Sequence, residues 1–241
     1  MKNTNISVNR YSLSAMTTRS LKILALADLH DRAEMLKPLR SVDADLIAFC
    51  GDLHDGRGLE TAWTTANALA GLGRTVLIVP GNMDHKDVAI KLWREAGFIM
   101  LHRSTFEHEN CGFLGMGGMV ARNPRRLGDG TRYYHQDEEV YQTLAKVFPK
   151  ISNKKFKIII THQPPRGARD TLYNGERSGS VSLRRFVEEF QPDLLLCGHI
   201  HEDRGEACIG STKIVNVGEL RRGYASIIKL DDEIAVEWLE P

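Results

Sequence analysis

Five short apolar runs in this chain each end at a polar motif, and this repeated arrangement constrains the fold more than any other feature. A strand that is buried on both faces of a sheet reads as a continuous run of Val, Ile and Leu. The runs therefore predict a central α/β sheet whose strands are largely parallel and whose faces are covered. They occupy residues 22–27, 46–50, 76–79, 157–160 and 194–197.

Segments with helical periodicity separate these runs, so the sequence predicts two sheets with helices outside them. Each predicted helix ends near a glycine or before a proline, and the four cover residues 59–72, 86–96, 137–148 and 180–190. Short strands are predicted at 98–101, 105–109 and 112–116, and a long Gly- and Arg-rich loop at 117–132. Alternating apolar residues predict a C-terminal antiparallel meander with strands at 207–209, 213–217, 224–230 and 233–238.

The bulk properties indicate an ordinary globular protein. Its 241 residues suit one large domain, predicted over 21–241, after an N-terminal leader over 1–20 that we expect to be flexible. The formal net charge of +1 gives no global attraction to nucleic acid or membrane, although a local basic patch stays open. The chain has no apolar stretch of the roughly 20 residues that a membrane span needs. With four cysteines and no CxxC pair, we expect a cytoplasmic location.

The polar motifs that follow the strands contain residue types that bind metals. They are Asp28-Leu29-His30, Gly51-Asp52, Gly81-Asn82-Met83-Asp84, Thr161-His162 and Gly198-His199-Ile200-His201. In open α/β sheets, ligands gather at the carboxyl ends of the strands, where all five motifs are expected. Asp28 and His30 are one residue apart, so on an extended backbone their side chains would point the same way. A lone Asp-x-His is usually a hydrogen-bonded turn, but the ordered combination predicts a metal site.

The ligand chemistry defines the metals and the reaction class. Carboxylate oxygens, an amide oxygen and neutral imidazoles suit Mn, Fe, Zn, Co or Ni. Two such metals about 3.5–4 Å apart lower the pKa of a water between them and hold a phosphoryl group for in-line attack. The sequence therefore predicts two divalent metal ions. The predicted ligands are Asp28, His30, Asp52, Asn82, His162, His199 and His201.

The five motifs together resemble those of the calcineurin-like metallophosphoesterase superfamily, whose pattern is D-x-H, G-D, G-N-H-[DE], H and G-H-x-H. The resemblance spans residues 28–201 and implies a four-layer α/β/β/α sandwich of two mixed sheets flanked by helices. It implies that Asp52 bridges the two metals. The first metal would also be held by Asp28, His30 and His201, and the second by Asn82, His162 and His199. Residues 161–165, Gly179-Ser180 and 198–202 with Gly205 resemble a branch related to class III cyclic-nucleotide phosphodiesterases.

Met83 departs from the family pattern, in which a histidine at this place serves as a proton donor or contacts phosphate. Methionine cannot donate a proton, so the departure favours phosphodiesters over phosphomonoesters. His54 and His85 are candidate replacements for the missing donor. For each of them, a solvated or packed histidine is the alternative that the sequence favours. Arg166 and Asn82 are candidate substrate contacts, and the arginines of the 117–132 loop are a further option.

The sequence thus predicts a phosphodiesterase in which hydroxide held between two metals attacks phosphorus. The alternatives are a phosphomonoesterase or phosphoprotein phosphatase, and a catalytically weak scaffold of the same fold. The expected partner is a small phosphoester substrate, with nucleotides among the options. Nucleic-acid binding and homo-oligomerisation stay open, whereas a membrane partner is not expected.

Overall fold

The computed structural model describes residues 20–55 and 58–241, so the predicted leader lies, except for Ser20, outside the described residues. The strands of the two large sheets match the predicted runs to within a few residues. They are β1 Leu21–Leu26, β2 Leu46–Phe49, β3 Thr75–Ile78, β4 Ile99–Met100, β5 Ser104–His108, β6 Cys111–Met116, β9 Phe156–Thr161, β10 Leu194–Cys197, β11 Gly205–Ile209, β12 Thr212–Asn216, β13 Ala225–Leu230 and β14 Ile234–Leu239. The α-helices are α1 Leu59–Ala70, α2 Lys86–Glu95, α3 Asp137–Val147 and α4 Val181–Phe190.

The strands form two mixed six-stranded sheets, as predicted. The first has the order β14-β13-β1-β2-β3-β4, in which β1 to β4 run parallel and the β13–β14 hairpin is antiparallel. The second has the order β11-β12-β10-β9-β6-β5, with four parallel strands in the middle and an antiparallel strand at each edge. The carboxyl ends of the parallel strands in each sheet therefore meet at one edge.

Successive side chains of a strand point to opposite faces of its sheet, and each face packs against a different layer. On β1, Ile23 faces the second sheet in the core between the sheets, whereas Leu24 faces α1 and α2. On the other side, Phe186 of α4 packs over Leu195 of β10. The resulting order is helix, sheet, sheet, helix, which confirms the predicted four-layer sandwich. No helix in the described part of the chain combines the length and apolar character that crossing a bilayer requires.

The predicted C-terminal meander is wrong. The four strands exist, but β11 and β12 form a hairpin that joins the second sheet through β10, whereas β13 and β14 form a hairpin that joins the first sheet through β1. Alternation and turn residues identify hairpins, but they do not say which sheet each hairpin extends. A 3₁₀ turn at Leu220–Arg222 lies in the connection between the sheets.

The segment predicted as a long loop at 117–132 contains some regular structure. Its strand β7 Met119–Val120 pairs in parallel with β8 Tyr134–His135, and a 3₁₀ turn follows at Pro124–Gly128. The 3₁₀ turn begins at a proline, and the Asn123 side chain caps it by accepting from the Arg125 main-chain N–H. The segment leaves the end of β6 and lies at the edge where the polar motifs gather.

Candidate metal centre

The structure brings Asp28, His30 and His201 together beyond the ends of β1 and β10. One ligand atom from each lies within 4.8 Å of the other two, and we call these residues the first cluster. Asp28 Oδ1 is 3.3 Å from Nε2 of His201 and 3.8 Å from Nε2 of His30. All three residues belong to the motifs from which the sequence predicts metal binding.

A second cluster forms beside the first from Asp52, His162 and His199, whose ligand atoms also lie within 4.8 Å of one another. Asp52 Oδ2 is 3.3 Å from His162 Nε2. Asn82 belongs to the same place, because its Oδ1 is 3.1 Å from that nitrogen. The clusters are joined where the main-chain N–H of His199 donates to Asp28 Oδ2 at 2.9 Å. All seven predicted ligands therefore lie in one connected site.

The first cluster contains buried polar atoms that need a partner. Within residues 20–55 and 58–241, neither Asp28 Oδ1 nor His30 Nε2 has a hydrogen-bond partner, although both are buried. A carboxylate oxygen that accepts no hydrogen bond in a protein interior is unfavourable unless a cation satisfies it. The donor set, which combines carboxylate oxygens, an amide oxygen and imidazole nitrogens, suits divalent transition metals. The residues present thus fit a pair of such ions.

The side chains converge because the chain turns sharply after each strand. Four predicted ligands, Asp28, His30, Asp52 and His199, have positive φ values of 56°, 51°, 55° and 68°. The expectation that Asp28 and His30 point the same way along an extended backbone is therefore wrong, although the two side chains do meet. Non-glycine residues seldom adopt this left-handed conformation, and such strain is typical of functional sites.

Asp84 fastens the loops that carry the second cluster. Its carboxylate is buried, and it accepts main-chain hydrogen bonds from Asp52 at 2.9 Å, Gly81 at 2.8 Å and His54 at 2.9 Å. Gly81 is required next to it, because a Cβ at that position would collide with the backbone and the carboxylate of Asp52. The Asp84 carboxylate thus holds the Asp52 loop and the Asn82 loop at a fixed separation.

Groups that the sequence did not reveal orient the imidazoles. His30 Nδ1 donates to Asp55 Oδ1 at 2.6 Å, and His201 Nδ1 lies 3.4 Å from Glu219 Oε1. His162 Nδ1 donates to the carbonyl oxygen of Cys50 at 2.8 Å. In each ring, this leaves Nε2 directed toward the clusters, the arrangement by which outer hydrogen bonds fix the tautomer of a metal-binding histidine. Asp55 and Glu219 lie outside the recognisable motifs, so sequence reasoning missed them.

Each ionisable group of the second cluster changes the pKa of its neighbours. Burial opposes a charge on Asp52, but the adjacent His162 outweighs this effect and lowers the pKa of the carboxyl to about 2. Burial also opposes a charge on His162, and the Asp52 carboxylate overcomes it and raises the pKa of the imidazole to about 9. Burial and the neighbouring His162 lower the pKa of His199 to about 4. In the metal-free protein, a proton therefore occupies His162 at neutral pH, and an incoming metal has to displace it.

The other candidate residues have different surroundings. His54 is buried, with Nδ1 3.2 Å from Asp31 Oδ1 and Nε2 accepting from the Trp93 indole at 3.1 Å, so both ring nitrogens are engaged in hydrogen bonds. Arg166 is exposed, and its guanidinium donates to the carbonyl oxygen of Arg177 at 3.1 Å.

His85 occupies the N-cap position of α2 without a side-chain capping hydrogen bond and is half-buried, and its Nδ1 has no hydrogen-bond partner among the described residues. Within the same residues, His54, His85 and Arg166 make no side-chain hydrogen bond or ion pair to either cluster. Their catalytic and substrate-binding roles therefore stay predictions.

The chain belongs to the calcineurin-like phosphoesterase family, whose model matches residues 21–203. This family normally uses divalent metals at a dinuclear site, which agrees with the two clusters. The chain is 30% identical over 202 residues to the uncharacterized protein MJ1162 of Methanocaldococcus jannaschii, covering 81% of this chain and 87% of that protein. It is 27% identical over 224 residues to the UPF0046 protein K07C11.7 of Caenorhabditis elegans, covering 86% and 72%.

Solved structures show the same fold at low sequence identity. TT1561 of Thermus thermophilus has a TM-score of 0.72 at 18% identity and covers 91% of this chain and 98% of that chain. A dimetal phosphatase from Danio rerio has a TM-score of 0.64 at 12% identity and covers 91% and 96%. The narrower resemblance to the class III cyclic-nucleotide phosphodiesterase branch stays a prediction.

Proposed function

We propose that this protein is a dinuclear metal-dependent phosphodiesterase that acts on small organic phosphodiesters. The observation that carries the proposal is a pair of grooves, each of which is lined by one predicted metal ligand. One groove, of about 420 Å³, includes Asn82 of the second cluster, and the other, of about 580 Å³, includes His201 of the first. A phosphodiester carries two organic substituents and a monoester only one. A phosphate held at the clusters would place one substituent in each groove.

Met83 supports the same choice. Its main-chain N–H donates to Asp52 Oδ1 at 2.7 Å, and its side chain lines the groove that includes Asn82. A thioether cannot protonate a leaving group. Diester cleavage depends less than monoester cleavage on this proton when the leaving group is a good one, so an apolar residue here is tolerable for a diesterase.

The chain supplies the ligands and their orientation. Asp28, His30 and His201 would hold the first metal, Asn82, His162 and His199 the second, and Asp52 would serve both. When bound, such metals lower the pKa of a water and neutralise charge on phosphoryl oxygens. Asp55 and Glu219 orient the imidazoles of His30 and His201. The Met83 N–H orients the carboxylate of Asp52. Asn82 would contact substrate as well, because it lines a groove.

Hydrolysis of two chromogenic esters tests the proposal. The protein is purified metal-free, loaded with Mn²⁺, and assayed with bis-p-nitrophenyl phosphate and p-nitrophenyl phosphate. We expect the diester to be cleaved faster, and Asp52→Asn to abolish both activities. Faster cleavage of the monoester would reverse the diesterase assignment. No hydrolysis of either ester at full metal occupancy would overturn the assignment as an enzyme.

A substitution at Met83 separates the role of this residue from that of the metals. Met83→His restores a donor. With alkyl esters, whose poor leaving group needs a proton, we expect the ratio of monoester to diester cleavage to rise, whereas the matched variant Met83→Leu should leave the ratio unchanged. An equal change of the ratio in both variants would show that the side chain acts through packing and not through proton transfer.

A further inference from the structure

The groove beside Asn82 is basic, and we call it the arginine groove. Met83 and Met119 supply an apolar wall, whereas Arg122 and Arg126 supply positive charge, and no carboxylate among the described residues lines the groove. Arg126 is held in place, because its guanidinium lies 5.2 Å from the centre of the Tyr134 ring and donates to the Tyr134 hydroxyl. Arg122 is exposed and has no ion pair to any residue in the described ranges. Two arginines thus line a groove that also includes Asn82, a predicted metal ligand.

The groove beside His201, which we call the tryptophan groove, has a different charge. Its Arg204 lies 4.5 Å from the centre of the Trp238 ring and pairs with Glu240 at 2.6 Å, so its charge is neutralised locally. Glu206 and Arg222 of the same wall are likewise paired, with Lys213 and Glu219, so Glu202 leaves the groove with a negative charge. An anionic group is therefore favoured in the arginine groove and disfavoured in the tryptophan groove. Because the two grooves differ in charge, a substrate with one anionic substituent would bind in one orientation.

We infer that the arginine groove selects a substrate substituent that carries a second phosphate, in addition to the one at the metal centre. This inference rests on the proposed function. The apolar body of the substituent would pack on Met83 and Met119, and the second phosphate would reach Arg122 and Arg126. Guanidinium groups suit this task, because they donate in pairs to phosphate oxygens and keep their charge at all physiological pH values. The volume of the groove is of the size that organic ligands of a few hundred daltons occupy.

Binding of nucleotides that differ only in phosphate count tests the inference. Adenosine 3′,5′-bisphosphate, adenosine 5′-monophosphate and adenosine 3′-monophosphate are titrated into the Mn²⁺-loaded protein by calorimetry. We expect the bisphosphate to bind about tenfold more tightly than either monophosphate, the gain that a further charged hydrogen-bonded contact supplies. The gain should shrink as salt is raised, because both arginines are exposed to solvent.

Variants assign the gain to the two arginines. The double variant Arg122→Ala/Arg126→Ala should bind the bisphosphate and the monophosphates alike. Arg125→Ala is the matched control, because Arg125 is exposed on the same 3₁₀ turn but does not line the groove, and it should keep the tenfold gain. Equal affinities in the unaltered protein, or a gain that survives in the double variant, would overturn the inference.

The two proposals fail in different ways. If bis-p-nitrophenyl phosphate is not hydrolysed but the bisphosphate gain is present and depends on Arg122 and Arg126, the proposed activity fails and the groove stands as a phosphate-recognition site. If the diester is hydrolysed but the gain is absent, the activity stands and the groove assignment fails.

Discussion

The buried carboxylate of Asp84 offers the sharpest test of how the site is held together. Asp84→Asn keeps the volume of the side chain but replaces one acceptor oxygen by an NH₂ donor. Oδ2 accepts from the main-chain N–H of Asp52 and of Gly81, whereas Oδ1 accepts from that of His54. The favoured orientation of the amide therefore keeps its oxygen on Asp52 and Gly81 and turns its NH₂ group against the N–H of His54.

The magnitude follows from these three bonds. Losing one hydrogen bond to a charged acceptor removes about 1.5–3 kcal/mol, and the two that remain weaken by roughly 1 kcal/mol each when their acceptor becomes neutral. Part of this loss is offset, because burial and the nearby Asp52 charge both raise the pKa of Asp84 and so disfavour its ionised form. We expect a net loss of about 3 kcal/mol in the free energy of unfolding. For a chain of this size that corresponds to a melting temperature roughly 6–12 °C lower.

The assay is thermal and urea unfolding of the metal-free protein, followed by circular dichroism. Asp87→Asn is the matched control, because Asp87 is exposed in the first turn of α2 and its loss should change stability by less than about 1 kcal/mol. A free energy of unfolding for Asp84→Asn within about 0.5 kcal/mol of the unaltered protein would show that the Asp84 carboxylate does not hold these loops together.

Two further predictions concern packing and pH. Gly198→Ala would place a Cβ 2.5 Å from Asp28 Oδ2, so we expect about 1–3 kcal/mol of destabilisation and weaker metal binding. In the control Gly128→Ala the added Cβ meets open space, so thermal unfolding and calorimetry should give the values of the unaltered protein. Because Asp52 raises the pKa of His162 to about 9, metal competes with a proton below that pH, and Mn²⁺ affinity should rise up to about tenfold from pH 7 to pH 8. Calorimetric affinities that are equal at the two pH values would contradict the proton competition.

The sequence allowed the position of the two clusters to be predicted because the seven candidate ligands closely follow five strands. His162 comes directly after β9, and Asp28 and His199 each lie two residues beyond a strand. Parallel strands bring their carboxyl ends to one edge, so local order along the chain was enough to place these side chains together.

The remaining features depend on contacts between segments that are far apart in the chain. The partner of His30, Asp55, is 25 residues away, and Glu219 reaches His201 from the connection between the two sheets. The left-handed backbone at Asp28 and Asp52 is likewise imposed by tertiary structure, since aspartate does not require it. The sequence did not predict that the two C-terminal hairpins extend different sheets, because this also depends on contacts between distant segments.

The number of metal ions that the chain holds distinguishes a dinuclear centre from a site for a single ion. The protein is equilibrated with Mn²⁺ by dialysis, and bound metal is counted by inductively coupled plasma mass spectrometry. Because His201 belongs to the first cluster and not to the second, we expect two Mn²⁺ per unaltered chain and one per chain of the variant His201→Ala. A single ion per unaltered chain at saturating Mn²⁺, or none, would contradict the dinuclear centre.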